Sequence, residues 1–170
     1  MKKNTFSWKR AILLLSLGSI FTISACSSEE ETAQQVDEQT VNQIKDFTTK
    51  FDESLGQANK QLNTFNVALD GLYTGQVSSE QFVKILSGNI ENSRSLISTV
   101  ESYSVNPKVS IYHQNLLKYL NQQHQLFLDS VEMANLEQID KRSLREAYFQ
   151  VKNNQNEVRN IFINGENKAI

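Results

Sequence analysis

The chain has 170 residues, with 17 lysines and arginines against 19 aspartates and glutamates, for a formal charge of −2. That length suits one hydrophobic core rather than two domains, and the charge offers no excess of cations to a nucleic acid. Cys26 is the only cysteine, which excludes an internal disulfide and leaves stability to packing.

Lys2, Lys3, Lys9 and Arg10 precede an uncharged, largely apolar run from Ala11 to Ala25, the charged-then-apolar order of an export signal. A membrane-spanning helix needs roughly 18 to 20 apolar residues. This run is shorter and is broken by Ser16, Gly18, Ser19, Thr22 and Ser24, so a permanent span is not expected. It closes on Ile23-Ser24-Ala25-Cys26, which resembles the lipobox of bacterial lipoproteins: an aliphatic residue, two small residues and the cysteine. The resemblance implies that the Cys26 thiol takes a diacylglyceryl group and that a peptidase removes residues 1–25. The mature protein would then be held on the extracytoplasmic face of the cell membrane. Small residues before the cut let a peptidase approach an extended backbone, and the sulfur is a good nucleophile for a thioether bond. A conventional secretory cut after Ala25 would place bulky Ile23 where a small residue is preferred. A free surface thiol at Cys26 is the competing reading. Burial of each methylene contributes about 0.8 kcal/mol, and two acyl chains anchor where one holds only marginally.

Removal of the signal takes four of the 17 basic residues and leaves 13 against 19 acidic ones, a charge of −6. Recognition of anionic lipid headgroups or wall polymers by net charge is therefore not expected. Lys141, Arg142 and Arg145 form a local basic cluster, read as a solvated helix face. Residues 26–33, which include Ser27-Ser28-Glu29-Glu30-Glu31, read as a polar tether.

The helical domain is expected over 34–164. From Val41 the apolar positions Val41, Ile44, Phe51, Leu55, Ala58, Leu62, Phe65, Leu69 and Leu72 alternate in steps of three and four, with Thr48 in the one polar slot. That period of about 3.5 predicts a long first helix from Gln34 to Tyr73, with Gly56 as a place for a bend. A second helix is predicted to start at Ser78, with Gln81 closing a capping box, Val77 and Phe82 forming a hydrophobic staple, and a stripe of Phe82, Leu86, Ile90, Ile97 and Val100. Asn106-Pro107 stops it and starts a third helix, whose stripe is Val109, Tyr112, Leu116, Leu120, Phe127 and Val131. Asp140 is the expected N-cap of a fourth, with Leu144, Tyr148, Val151, Val158 and Phe162 as its stripe. Asn164-Gly165 is expected to end it, leaving 165–170 as a tail.

Four amphipathic helices with short joints predict an all-α fold, an antiparallel up-down-up-down four-helix bundle with a long first helix. At about 1.5 Å per residue the first helix would be roughly 60 Å long against about 35 to 42 Å for the others, which predicts an N-terminal stalk next to the lipid.

Chemistry-bearing patterns are few. His113 and His124 are 11 residues apart on the third helix, about 16 Å along its axis, too far for one metal ion. Neither has the Glu three residues before it that di-iron bundles use. C-x-x-C-H, G-x-S-x-G and glycine-rich phosphate loops do not occur. No metal, cofactor or enzymatic activity is therefore predicted. Phe47, Tyr119 and Phe149 sit beside their stripes, where they either widen the buried face or line a cleft or partner surface. On the stalk, Val41, Ile44, Phe47 and Phe51 are the expected partner surface, for an envelope protein or for a second copy of the chain.

The lipobox, the Lys/Asn/Gln/Ile-rich composition and the helical mature domain together resemble the small helical lipoproteins of low-GC Gram-positive bacteria. A Gram-negative origin is also compatible with Ser27 after the cysteine. That resemblance implies a lipid-anchored protein of the cell envelope. The residues point to a non-enzymatic interaction or scaffold module, with a ligand-binding lipoprotein holding a small molecule or lipid within its helices as the alternative.

Overall fold

The computed structural model describes residues 38–169, with side chains through residue 165. The expected signal peptide, Cys26, the expected tether, residues 34–37 of the expected first helix and residue 170 lie outside the described residues. Among the described residues the fold is all-helical. Helix α1 spans Glu38–Thr74, α2 Ser79–Glu101, α3 Ser110–Asn135 and α4 Lys141–Ala169, and a 3-10 turn at Pro107–Val109 leads into α3. Each helix packs on its neighbours in the chain, α1 also meets α4, and α2 and α3 share the broadest contact.

The joints follow from local chemistry. At the start of α2 the Ser78 hydroxyl accepts from the Gln81 amide at 3.2 Å, while Gln81 Oε1 accepts from the Ser78 amide at 2.9 Å. This is the predicted capping box, and it satisfies two orphan donors reciprocally. Gly75, at φ 74°, takes the left-handed position after α1, which a residue with a Cβ enters only at a cost. The same turn lays the Val77 side chain on Gly71, where a Cβ would overlap it. Asn106 accepts from the Lys108 amide and heads the 3-10 turn, with Pro107 in its first position. After α3 the Gln138 amide donates to the Met133 carbonyl and the Glu137 amide to that of Ala134, the paired bonds of a Schellman ending. Its left-handed residue is Glu137, at φ 55°. Asp140 caps α4 by accepting from the amides of Arg142 and Ser143 and from the Ser143 hydroxyl.

The stripes supply the core. Ile44, Phe51, Leu55, Ala58, Leu62, Phe65, Leu69 and Leu72 of α1 are buried against Phe82, Leu86, Ile97 and Val100, against Leu116, Leu120 and Phe127, and against Leu144, Val151, Val158 and Phe162. Aromatic rings gather in two groups. One holds Phe47, Phe51, Tyr112, His113 and Phe162, and the other holds Phe65, Phe82, Phe127 and Tyr148.

Two expectations are corrected. Helix α4 does not end at Asn164-Gly165 but continues through Ala169, so the expected tail is largely helix. Gly165 is not among the positive-φ residues. It serves close approach instead, because a Cβ there would overlap the Tyr112 hydroxyl. The second correction concerns the expected partner surface. Ile44, Phe47 and Phe51 are buried and Val41 is half-buried. Phe47 is 2% exposed, with Phe51, His113 and Phe162 around its ring. Phe162 of α4 and His113 at the start of α3 cover this end of α1, so the strip is core. Helix α1 also runs unbroken through Gly56.

Candidate functional site

Between the two aromatic groups the core turns polar. Gln61 of α1, Asn89 of α2, Tyr119 and Gln123 of α3 and Gln155 of α4 are all buried. Tyr119 and Gln123 are one turn apart and share a face of α3. The Tyr119 hydroxyl donates to Gln123 Oε1 at 2.6 Å, Gln123 Nε2 donates to Gln61 Oε1 at 3.1 Å, and Asn89 Nδ2 donates to the Gln61 carbonyl at 3.0 Å. These bonds tie three helices through their interiors, where an amide left unpaired costs about 1–3 kcal/mol. Burial raises the Tyr119 hydroxyl well above the ordinary tyrosine range, opposed by the nearby Gln155 amide, so Tyr119 acts as a neutral hydrogen-bond donor.

Gln155 connects this belt to the surface. Lys152 Nζ donates to Gln155 Oε1 at 2.7 Å and to Asn59 Oδ1 at 2.9 Å. An ammonium has only donors, so Lys152 sets which end of the Gln155 amide faces it. Nε2 is thereby turned away, buried and without a hydrogen-bond partner, although the amide lies near enough to the Tyr119 hydroxyl to affect its ionisation.

Two clefts flank α4 at this level. One, of about 320 Å³ between α1 and α4, is lined by Asp52, Leu55, Gly56, Asn59, Lys152, Gln155, Asn156 and Arg159. The other, of about 110 Å³ between α3 and α4, has Tyr119 and Val158 in its wall, with Asn115, Lys118, Gln122, Asn154, Glu157 and Ile161. Gln155 and Tyr119 thus line clefts on opposite flanks of α4.

The stripes left this belt unread, but they carried its signal. Each of three stripes skips a full heptad, between Ile90 and Ile97, Leu120 and Phe127, and Val151 and Val158. Ser93, Gln123 and Gln155 occupy the missing interior slots. Gln61 and Asn89 lie next to stripe positions and carried no comparable mark.

The other residues singled out from the sequence are dispersed. His113 Nε2 meets the Val100 carbonyl at 2.8 Å, and His124 Nδ1 meets the Ser93 hydroxyl at 2.7 Å. Burial, with a smaller contribution from Arg94, lowers the His124 pKa. Ser93 is itself buried and also lies within 3.0 Å of the Ile90 carbonyl, so this pair offers no accessible nucleophile. Among the described residues no group of three or more His, Cys, Asp or Glu side chains is placed to hold a metal ion. Lys141 and Arg145 serve the fold rather than a solvated face. Lys141 donates to the Leu72 carbonyl, Arg145 pairs with Asp70, and the Arg145 guanidinium lies over the rings of Tyr73 and Tyr148. Of the three aromatics beside the stripes, Phe47 and Tyr119 are buried and Phe149 is 54% exposed.

Comparison of the chain with protein families, with curated proteins and with solved structures finds no match.

Proposed function

We propose that the chain is a lipid-anchored protein of the cell envelope, held on the extracytoplasmic face through Cys26 after loss of residues 1–25. Its helical domain is a non-enzymatic interaction or scaffold module, with the four helices running up, down, up and down. The observation that carries the anchor is Ile23-Ser24-Ala25-Cys26 at the end of the apolar run. Supporting the antiparallel course, residues early in α1 meet residues late in α4 and the reverse, as Phe51 does with Phe162 and Asp70 with Arg145.

Two features favour a scaffold over a ligand held within the helices. Aromatic rings and the amide belt occupy the middle of the domain. The two clefts at the level of the amide belt open at the flanks of α4 and are lined mainly by polar side chains, and a third between α3 and α4, with Leu126, Met133, Leu144 and Val151 in its wall, is an open groove rather than an enclosed cavity. With the α1 strip assigned to the core, partner contact falls to apolar side chains that stand out elsewhere, notably Phe149 on α4 and Val67, 69% exposed, on α1.

The experiment is metabolic labelling with an alkyne fatty acid in cells expressing wild type or Cys26→Ala. Label on the wild type alone, with the variant uncleaved or released to the medium, is expected. Unlabelled wild type that stays in the membrane fraction overturns the anchor. For the scaffold, a photocrosslinker at Phe149 is expected to trap a discrete partner in intact cells, whereas one at exposed Ser87 does not. Equal yields at both positions, or none, overturn it.

A further inference from the structure

The cleft between α1 and α4 has a chemical bias that the scaffold reading does not use. Lys152 is half-buried at its edge, and its ammonium is held only by the neutral oxygens of Asn59 and Gln155. Arg159 lines the same cleft from the next turn of α4. Among the described residues no carboxylate lies within ion-pair distance of either cation; the ion pairs found there are Lys50 with Asp46 and Arg145 with Asp70. Gln155 lines the cleft with its Oε1 held by Lys152, while its Nε2, buried and without a hydrogen-bond partner, faces away from that ammonium until the side chain turns. The donors of the cleft therefore outnumber its acceptors, and Asp52 is its one carboxylate. Gly56 leaves room opposite them, since a Cβ built there meets nothing within 4 Å.

We infer that the α1/α4 cleft binds a small soluble oxyanion, a carboxylate or phosphate carried on a compact molecule. The anionic oxygens take the free proton of Lys152 and the Arg159 guanidinium, and the Gln155 amide receives the remaining acceptor by a turn of its side chain. A ligand that only accepts is what such a donor set recognises, and charge-assisted bonds to it are the strong ones. At about 320 Å³ the cleft is at the small end of ligand sites, which run from about 300 to 1,000 Å³. Asp52 at the rim disfavours a ligand of high negative charge and favours one with a single anionic group beside hydroxyls or amines.

The test uses the full chain in non-ionic detergent at fixed ionic strength, with the side-chain amide NMR signals of Asn59 and Gln155 as the readout. Inorganic phosphate and acetate are the probes, and chloride is the control. Saturable shifts of both amides with phosphate or acetate, absent with chloride, are expected. Arg159→Gln and Gly56→Leu, both at exposed helix positions, should each weaken the response about tenfold or more, as losing one charge-assisted hydrogen bond or the space for the ligand would. Arg142→Gln, which removes a cation from α4 outside the cleft, should leave it unchanged. Linear, unsaturable shifts, or equal weakening by Arg142→Gln, would reduce the effect to general screening and overturn the site. A response confined to micelles doped with phosphatidylglycerol would also overturn it, since the occupant would then be a lipid headgroup.

Discussion

Phe51 and Phe162 lie face to face, with ring centroids 3.9 Å apart and planes 17° from parallel, and they join the first half of α1 to the last turns of α4. Phe47 meets the same Phe162 ring edge-on at 6.1 Å. Phe162→Ala removes the shared partner of both rings, so it should cost about 3–5 kcal/mol, as large-to-small aromatic changes in a core do. Chemical denaturation measures it. A loss below about 1 kcal/mol would show that this end of α1 is not packed as described.

The amide belt predicts strong non-additivity. Gln123 is 0% and Tyr119 1% exposed, and Gln123→Leu leaves both the Tyr119 hydroxyl and Gln61 Oε1 without their partner. That single change should cost about 1–3 kcal/mol or more, the penalty of orphaned buried polar groups. Adding Tyr119→Phe removes one orphan, so the double variant should be no less stable than Gln123→Leu alone. A double-mutant cycle decides, and simple additivity would contradict the bond between the two side chains.

Backbone conformation predicts two gains in stability. Glu137 occupies the left-handed region at φ 55°, which costs a residue bearing a Cβ about 1–2 kcal/mol. Glu137→Gly should therefore raise stability by up to about 1 kcal/mol, the left-handed penalty relieved less the entropy that glycine loses on folding. Gly56→Ala, in the middle of α1 with open space around the new methyl, should add about 0.5–1 kcal/mol. Thermal melts would register both, and a fall in melting temperature for either would contradict the local geometry.

His124 predicts a pH dependence. Its folded-state pKa lies below the ordinary value of 6.5, chiefly because burial disfavours the charged ring. The unfolded chain therefore binds more protons in the window just below that value, and stability falls as pH drops through it. The contribution is fully present above pH 6.5 and is lost as pH falls through the folded-state pKa. Melting temperature should decline as pH falls below about 6.5, and His124→Gln, which cannot charge, should flatten that decline. An equal slope in wild type and variant would place the dependence elsewhere.

Much of the architecture was legible in the residues, because it rests on short-range physics. The capping box at Ser78 and Gln81, the cap at Asp140, the break at Asn106-Pro107 and the stripe centres follow from periodicity and from donors and acceptors a few residues apart. A glycine that needs a left-handed backbone and one that makes room for a neighbour look alike in a sequence. Gly165 therefore read as a helix end, when the Tyr112 ring, 53 positions away in the chain, is what requires it. Phe162 was already on the predicted fourth stripe, but only the tertiary packing shows that its ring lies on Phe47 and Phe51, which turns the expected partner surface into core.

The proposed export signal and lipid site at Cys26 rest on the sequence alone, since the chemistry proposed for the residues up to the cysteine needs no fold. The all-helical class and the positions of the helix starts likewise come from local pattern. Only the tertiary structure decided which interior slots are polar, that Gln61 bonds to Gln123 and Asn89 across helices, and that Lys152 takes the Gln155 oxygen beside a cleft that Gly56 also lines. The physical reason is that a glutamine at a stripe position is unfavourable until partners from other helices arrive, and those partners lie dozens of residues away in the chain.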